Sequence, residues 1–370
     1  MPTAASARSA SSSHGVDTIS IIRNNERAAG SDAKYPELRF MDGAAPPREP
    51  FHRALWGHAP IVHPGSCRIG LMQLTRRQYL YLCGAGLSAA PADTLAERWR
   101  RIAAETGGAV GAAALHLGSG QHVSLHGDER FPLASVCKLP AAMHILAMVD
   151  EGKLSRTAEI EVVQQDVTLD FSEVGHRWSK QRRFPLDELL LLMVAKSDNT
   201  AVETLYRIGG GAAAITARLR AWHLDGMRID RTERQCGRDA AASMPRFIAD
   251  PRDTATPDGT VQLLKRLFHG ELLSASSTAR IIEILEATTT GAGRIKGLLP
   301  AGVVVAHKTG TTGTSKGLNG STNDVGVITL PKGAGQLALA VYVKGSSRDL
   351  AAREMVIARI AKAAFDSLLA

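Results

Sequence analysis

The sequence is short of aromatic side chains, short of cysteine and has no long apolar run, and each shortage excludes something. Aromatics are only 5% of the 370 residues, so a core must be packed by Ala, Leu and Val within a hydrophobic fraction of 44%. That balance suits an ordinary soluble enzyme. No apolar stretch approaches the ~18 residues that a membrane-spanning helix needs, so the mature chain is expected to have no membrane anchor. The four cysteines, Cys67, Cys83, Cys137 and Cys236, form no C-x-x-C pair and no Cys/His cluster, which argues against a structural metal. Lys and Arg exceed Asp and Glu by 44 to 36, a net charge of +8, but no basic stripe is interleaved with aromatics. The charge reads as a solvated surface, and a nucleic-acid partner is not expected.

The length exceeds the ~100–200 residues of one usual domain, which predicts one large or two interlocked domains plus appendages. One appendage lies at 72–92, Met72-Gln-Leu-Thr-Arg-Arg-Gln-Tyr-Leu-Tyr-Leu followed by Cys-Gly-Ala-Gly-Leu-Ser-Ala-Ala-Pro-Ala92. A basic head, a modest apolar stretch and an Ala-x-Ala end are the layout of an export signal. The Arg76-Arg77 pair resembles the twin-arginine type, which implies a periplasmic or secreted protein. Residues 1–71 have little regular hydrophobic periodicity, and two readings stand: a mis-assigned start, with Met72 the true one, or a disordered extension. Neither gives these residues any chemistry.

Over 93–370, apolar residues Leu95, Trp99, Ile102 and Ala103 recur at helical spacing, predicting a helix over Thr94–Thr106. Strands are expected at Ala109–Leu117 and His122–Leu125 around Gly118-Ser119-Gly120, then a helix over Leu139–Asp150 and a mainly helical stretch to about Ala287. The tail reads as a strand, Val303–His307, a hairpin, Val325–Leu330 with Leu337–Val343, and a helix over Leu350–Leu369. The expected fold class is α+β: an antiparallel sheet of about five strands from both chain ends, with flanking helices and an inserted all-helical part. The α/β part would be 93–134 with 288–370, the helical part 135–287, and the site the cleft between them.

Three short motifs carry chemistry. Ser135-Val-Cys-Lys138 puts an amine one helical turn from a hydroxyl on the same face, and a serine needs such a base to act as a nucleophile. Alone it means little, because Ser31-Asp-Ala-Lys34 repeats the spacing. Ser197-Asp198-Asn199 lies between the helical stretches Leu186–Ala195 and Thr200–Ile208, where simple capping would also explain it. Lys308-Thr309-Gly310 ends the apolar strand, followed by a small-residue edge, Thr311-Thr312-Gly313, where a ligand could lie against the backbone.

In this order the three motifs resemble the signature of class A β-lactamases and penicillin-binding proteins. The resemblance covers about 93–370, and Asp128-Glu-Arg-Phe-Pro-Leu-Ala-Ser135 is similar to the family's approach to its nucleophile. The run from Ala287 through Arg294 to His307-Lys-Thr-Gly-Thr311 resembles the PER-type extended-spectrum branch. Arg228-Ile-Asp-Arg231-Thr-Glu233 resembles the start of the class A omega loop, with Asp253 as the acid that closes it on Arg231.

The resemblance implies a cofactor-free, monomeric β-lactam hydrolase of the β-lactamase/D,D-peptidase fold. Ser135 would be acylated, with Lys138 or Glu233 through a water as base, and Glu233 would activate water for release. Ser197 and Lys308 would protonate the departing nitrogen, and Asn199 would hold the substrate's side-chain carbonyl. Lys308, Thr309, Gly310 and Thr311 would bind the substrate carboxylate, with Arg294 either a second cation or a solvated loop arginine. Phe171 reads as a core aromatic rather than a cleft residue. Three features depart from the family: Glu233 to Asp253 is about seven residues longer than usual, Gly237 replaces a frequent asparagine, and Glu203 replaces another. Whether Cys137 and Cys236 pair stays open. A D,D-peptidase, a non-catalytic β-lactam sensor and a serine esterase remain alternatives.

Overall fold

The computed structural model describes residues 93–368; the export signal at 72–92 and the two readings of 1–71 lie outside the described residues. The first helix, α1 (Leu95–Ala103), starts at Thr94, whose hydroxyl accepts from Glu97 N while the Glu97 carboxylate accepts from Thr94 N at 2.8 Å. This reciprocal cap satisfies donors that a helix start leaves bare. It continues as a 3₁₀ turn over Ala104–Thr106, and Gly107 at φ +60° ends it. Then come β1 (Ala109–His116) and β2 (His122–Leu125), joined at the predicted glycine turn, with His116 N donating to Gln121 O at 2.9 Å. A short β3 (Phe131–Pro132) and a 3₁₀ turn over Ala134–Cys137 lead into α2 (Lys138–Asp150).

The middle of the chain is helical as expected, but holds short strands that periodicity does not reveal. In order it contains β4 (Glu159–Glu161), α3 (Glu173–Arg177), β5 (Arg183–Pro185), α4 (Leu186–Ala195), α5 (Asn199–Ile208) and α6 (Gly211–Ala221). There follow α7 (Glu233–Ala242), α8 (Met244–Ala249), β6 (Thr254–Ala255), α9 (Pro257–Phe268) and α10 (Ala275–Glu286). β4 pairs with β5, and β3 with β6, so the segment just before Ser135 is held by the end of the lengthened loop.

The closing part is β7 (Val305–Thr311), β8 (Thr314–Ser315), β9 (Leu318–Thr329), β10 (Gln336–Ser346) and α11 (Leu350–Ser367). The main sheet is antiparallel in the order β2-β1-β10-β9-β7, with β8 paired to β9, so six strands stand where about five were expected. The strand placed at Val303–His307 starts and ends later, at Val305–Thr311, which puts Lys308-Thr309-Gly310 inside it rather than after it. Its apolar pattern stops at Ala306 because cleft and network residues replace core residues on both faces. The predicted hairpin is also longer than its apolar part: β9 begins with a buried polar run, Asn319-Gly-Ser-Thr-Asn-Asp324.

Two cores flank this sheet. One joins it to α2, α4, α5, α9 and α10; the other joins it to α1 and α11 around Trp99, Val341, Ile357 and Ile360. Trp99 is fully buried and its indole N–H donates to Ile360 O at 3.1 Å, tying the first described helix to the last. Trp99→Ala should cost about 3–5 kcal/mol, through lost burial and the loss of the indole hydrogen bond. Chemical denaturation would read this, and a loss under about 1 kcal/mol would mean the pocket collapses onto the gap.

Candidate active site

Ser135 stands on the 3₁₀ turn between β3 and α2, immediately after Ala134 at φ +46°. A non-glycine residue there is strained, and such conformations persist where surrounding structure over-determines them. Here the Asn323 amide of β9 donates to Pro132 O at 2.8 Å and Leu133 O at 3.0 Å, and Leu133 N donates to Asp253 O. The turn is thus pinned to the central sheet. Gly310 explains its own identity: a Cβ there would lie 2.5 Å from Leu133 O and 3.1 Å from Val136 N, so only glycine lets β7 pass this close to the serine turn.

The Ser135 hydroxyl donates to Glu233 Oε1 at 2.8 Å. That leaves no room for a water between these two atoms, unlike the relayed contact expected above. Lys138, fully buried, donates to Ser197 O at 2.7 Å and Asn199 Oδ1 at 2.6 Å, and lies 3.4 Å from Ser197 Oγ and 3.8 Å from Glu233 Oε1. Lys308, also fully buried, donates to the same Ser197 Oγ at 3.1 Å and to Thr309 O at 2.8 Å. Burial, with the nearby Lys138 cation, pushes its amine down to about 7. Ser197 itself is held at φ +60°.

The Ser-Asp-Asn triplet divides its labour. Asp198 is buried and structural, accepting from Ala201 N, Ser172 Oγ and Val174 N at 2.8–2.9 Å as the N-cap of α5, so capping accounts for the middle residue. Asn199 faces the cleft and spends one N–H on Asp170 O at 3.1 Å. Thr309 shares a 2.6 Å hydroxyl contact with Thr290. Arg294 is not a solvated loop arginine: it is 4% exposed, pairs through Nε with Glu354 at 3.0 Å, and donates to Gly310 O, Asn323 O and, at 2.6 Å, Thr311 Oγ1. With that oxygen occupied, the exposed Thr311 hydroxyl is left to donate outward.

Glu233 opens α7, behind the Thr232 cap. Arg231 is buried against Asp253 at 2.6 Å and Asp250 at 3.3 Å, with its guanidinium over the Phe247 ring, so the pairing expected of Arg231 and Asp253 is present. The lengthened stretch between them is not coil but the two helices α7 and α8. Glu203 accepts from Arg234 N at 2.8 Å, so the glutamate tethers this segment, and burial pushes its carboxyl upward. Gly237 faces open space, with nothing within 4 Å of where a Cβ would lie. Cys137 and Cys236 are free thiols and do not pair across the site, and burial pushes both well up. Phe171, read above as core, is 88% exposed at the cleft mouth with φ +48°.

The cleft has two chambers. One of ≈ 260 Å³ holds Ser135, Ser197 and Thr309 with Lys196 and Thr290; the other, of ≈ 470 Å³, lies beyond Glu233 and is walled by Cys236, Gly237, Ala240, Met244 and Phe247. Sequence reasoning missed Lys196, Thr290 and Asn323. Only Asn323 left a signal, as part of a polar run inside a strand that must be buried. Among the described residues, no group of three or more His, Cys, Asp or Glu side chains is placed to hold a metal.

The depressed Lys308 amine couples stability to pH. It loses its proton near 7 in the fold but near ~10.4 in the unfolded chain, which therefore binds more protons between these values. Stability from this group rises with pH across that window, and its burial cost stands in full below it. Lys308→Met removes the effect, so the melting temperature of the native protein minus that of the variant should grow between about pH 6 and about pH 9. A flat difference would mean the amine keeps its proton throughout.

Comparison with known proteins shows the family. A family model described as the β-lactamase enzyme family matches residues 94–368. The chain is 31% identical over 278 residues to β-lactamase VEB-1 of Pseudomonas aeruginosa, covering 74% of this chain and 90% of that one. It is 34% identical over 239 residues to the extended-spectrum β-lactamase PER-1 of the same organism, covering 64% and 75%. A crystal structure of a β-lactamase from Chitinophaga pinensis matches with a TM-score of 0.70 at 34% identity, covering 74% of this chain and 99% of that one. With the three motifs gathered around one serine on this sheet, the chain belongs to the β-lactamase enzyme family, in its class A.

Proposed function

We propose that the chain hydrolyses the lactam ring of penicillins and cephalosporins through an acyl-enzyme on Ser135, and so confers resistance to them. The observation that carries this is the 2.8 Å contact from the Ser135 hydroxyl to the Glu233 carboxylate, one group able to serve both half-reactions. Ser135 Oγ attacks the lactam carbonyl and Glu233 takes its proton. Lys138 has its donors committed to Ser197 O, Asn199 and Ser197 Oγ, which favours Glu233 over Lys138 as the acylation base. The backbone N–H groups of Ser135 and Thr311 stabilise the oxyanion, where one such donor is worth ~10²–10³ in rate.

When the ring C–N bond breaks, Glu233 returns its proton through Lys138 to Ser197, and Ser197 passes one to the nitrogen. Lys308 holds the same hydroxyl from the other side. The free carboxylate of Glu233 then takes a proton from the water that attacks the acyl carbon. Asn199 holds the side-chain carbonyl, while Thr309 and Thr311 hold the ring carboxylate with the oriented hydroxyl that Arg294 supports. Gly237 offers no side-chain amide to this water, so Glu233 carries its activation without that help.

The segment from Arg228 to Asp253 is the omega loop in this reading, and 93–134 with 288–370 form the α/β part around a helical part at 135–287. Every group the route uses comes from one chain, so a monomer would carry a complete site. The leader at 72–92 directs export from the cytoplasm, making the protein periplasmic or secreted; among the described residues no helix is long and apolar enough to cross a membrane.

A chromogenic cephalosporin, with bound drug followed by mass spectrometry, separates this reading from a D,D-peptidase or sensor. Continuous turnover is expected, whereas a single stoichiometric burst would overturn it. Glu233→Gln should slow both the acylation of Ser135 and the release of the acyl group, lowering hydrolysis ~10²–10⁴-fold. Release at the native rate would show that another group activates the water.

A further inference from the structure

We infer that the Lys196 ammonium is an accessible cation that helps draw the substrate's ring carboxylate into the cleft, making it a specificity-determining residue for the reaction proposed above, on which this inference rests. Lys196 follows the last residue of α4, so its charge stands at a helix C-terminus, where the backbone dipole favours a cation. Its base is fixed: Thr289 N donates to Ala195 O at 3.2 Å, joining the end of α4 to the loop that carries Thr290. Lys196 lines the smaller chamber together with Ser135, Thr290, Thr309 and Thr311. It is exposed, and among the described residues it forms no ion pair and no side-chain hydrogen bond.

The other three cations near the serine are less accessible to an anion still arriving from solvent. Lys138 and Lys308 have no exposed surface; Lys138 donates to Ser197 O, Ser197 Oγ and Asn199, and Lys308 to Ser197 Oγ and the Thr309 carbonyl, which leaves one Lys308 N–H for a carboxylate that has already arrived. Burial pushes Lys308 down to about 7, which thins its charge near neutrality. Arg294 is 4% exposed and already faces Glu354 at 3.0 Å, so it acts on the chamber through Thr311 and not as a free charge. An incoming carboxylate therefore meets the Thr311 and Thr309 hydroxyls as donors and Lys196 as the accessible positive charge. A lone accessible cation in a cleft raises both local anion concentration and its dependence on salt.

The test uses a cephalosporin with a free ring carboxylate and the same compound as its methyl ester. For the native enzyme, Lys196→Gln and Lys196→Arg, it records KM, kcat and the rate of acylation of Ser135 by mass spectrometry. Lys196→Gln should raise KM for the acid roughly tenfold, equivalent to about 1.4 kcal/mol, and leave kcat within about twofold. It should flatten the salt dependence of acylation by the acid and leave the ester unaffected, while Lys196→Arg keeps most of the native behaviour. An unchanged KM, or an equal loss for acid and ester, overturns the inference. If the native enzyme acylates but does not release, the hydrolytic reading fails while the acylation rates still decide the part played by Lys196. If the acid does not acylate Ser135 at all, both fall.

Discussion

Two lysines without solvent exposure converge on one serine hydroxyl, and most of the site follows from making that bearable. A buried ammonium costs several kcal/mol unless its protons find acceptors. Lys138 finds a main-chain carbonyl, an amide oxygen and, 3.8 Å away, the Glu233 carboxylate. Ser197 can offer its carbonyl to one lysine and its hydroxyl to both only because its backbone turns left-handed between α4 and α5. Asp198 makes that turn permanent by capping α5 and binding Ser172 and Val174. Lys308 receives less, and its proton is correspondingly easy to lose.

The sheet supplies the opposing wall through contacts that leave little slack. Asn323 grips the carbonyls of Pro132 and Leu133, and Arg294 grips those of Gly310 and Asn323, so the serine turn, β7 and β9 are tied by two side chains. Behind them His307 and Asp324, both fully buried, hold each other at 2.9 Å, and Asp324 also accepts from Ile295 N next to Arg294. Strain at Ala134, Phe171, Ser197 and Asp253 gathers around the same cleft. These are the positions where the fold gives up local comfort to aim a side chain.

What the sequence disclosed and what it hid follow one distinction. The Ser-x-x-Lys spacing, the capping triplet and the glycine after Lys308-Thr309 are local patterns whose geometry is fixed by a single turn or strand, and they could be placed in order. The fold class was equally readable, because helical and strand periodicities change at the right places. β7 starts two residues and ends four residues later than expected because Lys308 and Thr309 belong to the cleft and His307 to a buried polar pair, none of which continues an apolar alternation. The helices of the lengthened loop were illegible for a similar reason: α7 holds Gln235, Gly237, Arg238 and Asp239 and buries only Ala240. Arg294 and Phe171 were ambiguous since their surroundings are set by residues far away in the chain. One is drawn into a buried network with Glu354, and the other is pushed out at the cleft mouth.

Gly237 sits in the body of α7, where glycine costs roughly 0.5–1 kcal/mol relative to alanine, and nothing lies within 4 Å to forbid a side chain. Filling that position would strengthen the helix that begins with Glu233 and at the same time take volume from the larger chamber it borders. Heat resistance and capacity for bulky molecules are therefore set against each other at a single residue. A heat-hardened form obtained through this position would be expected to narrow the range of compounds the chamber can admit.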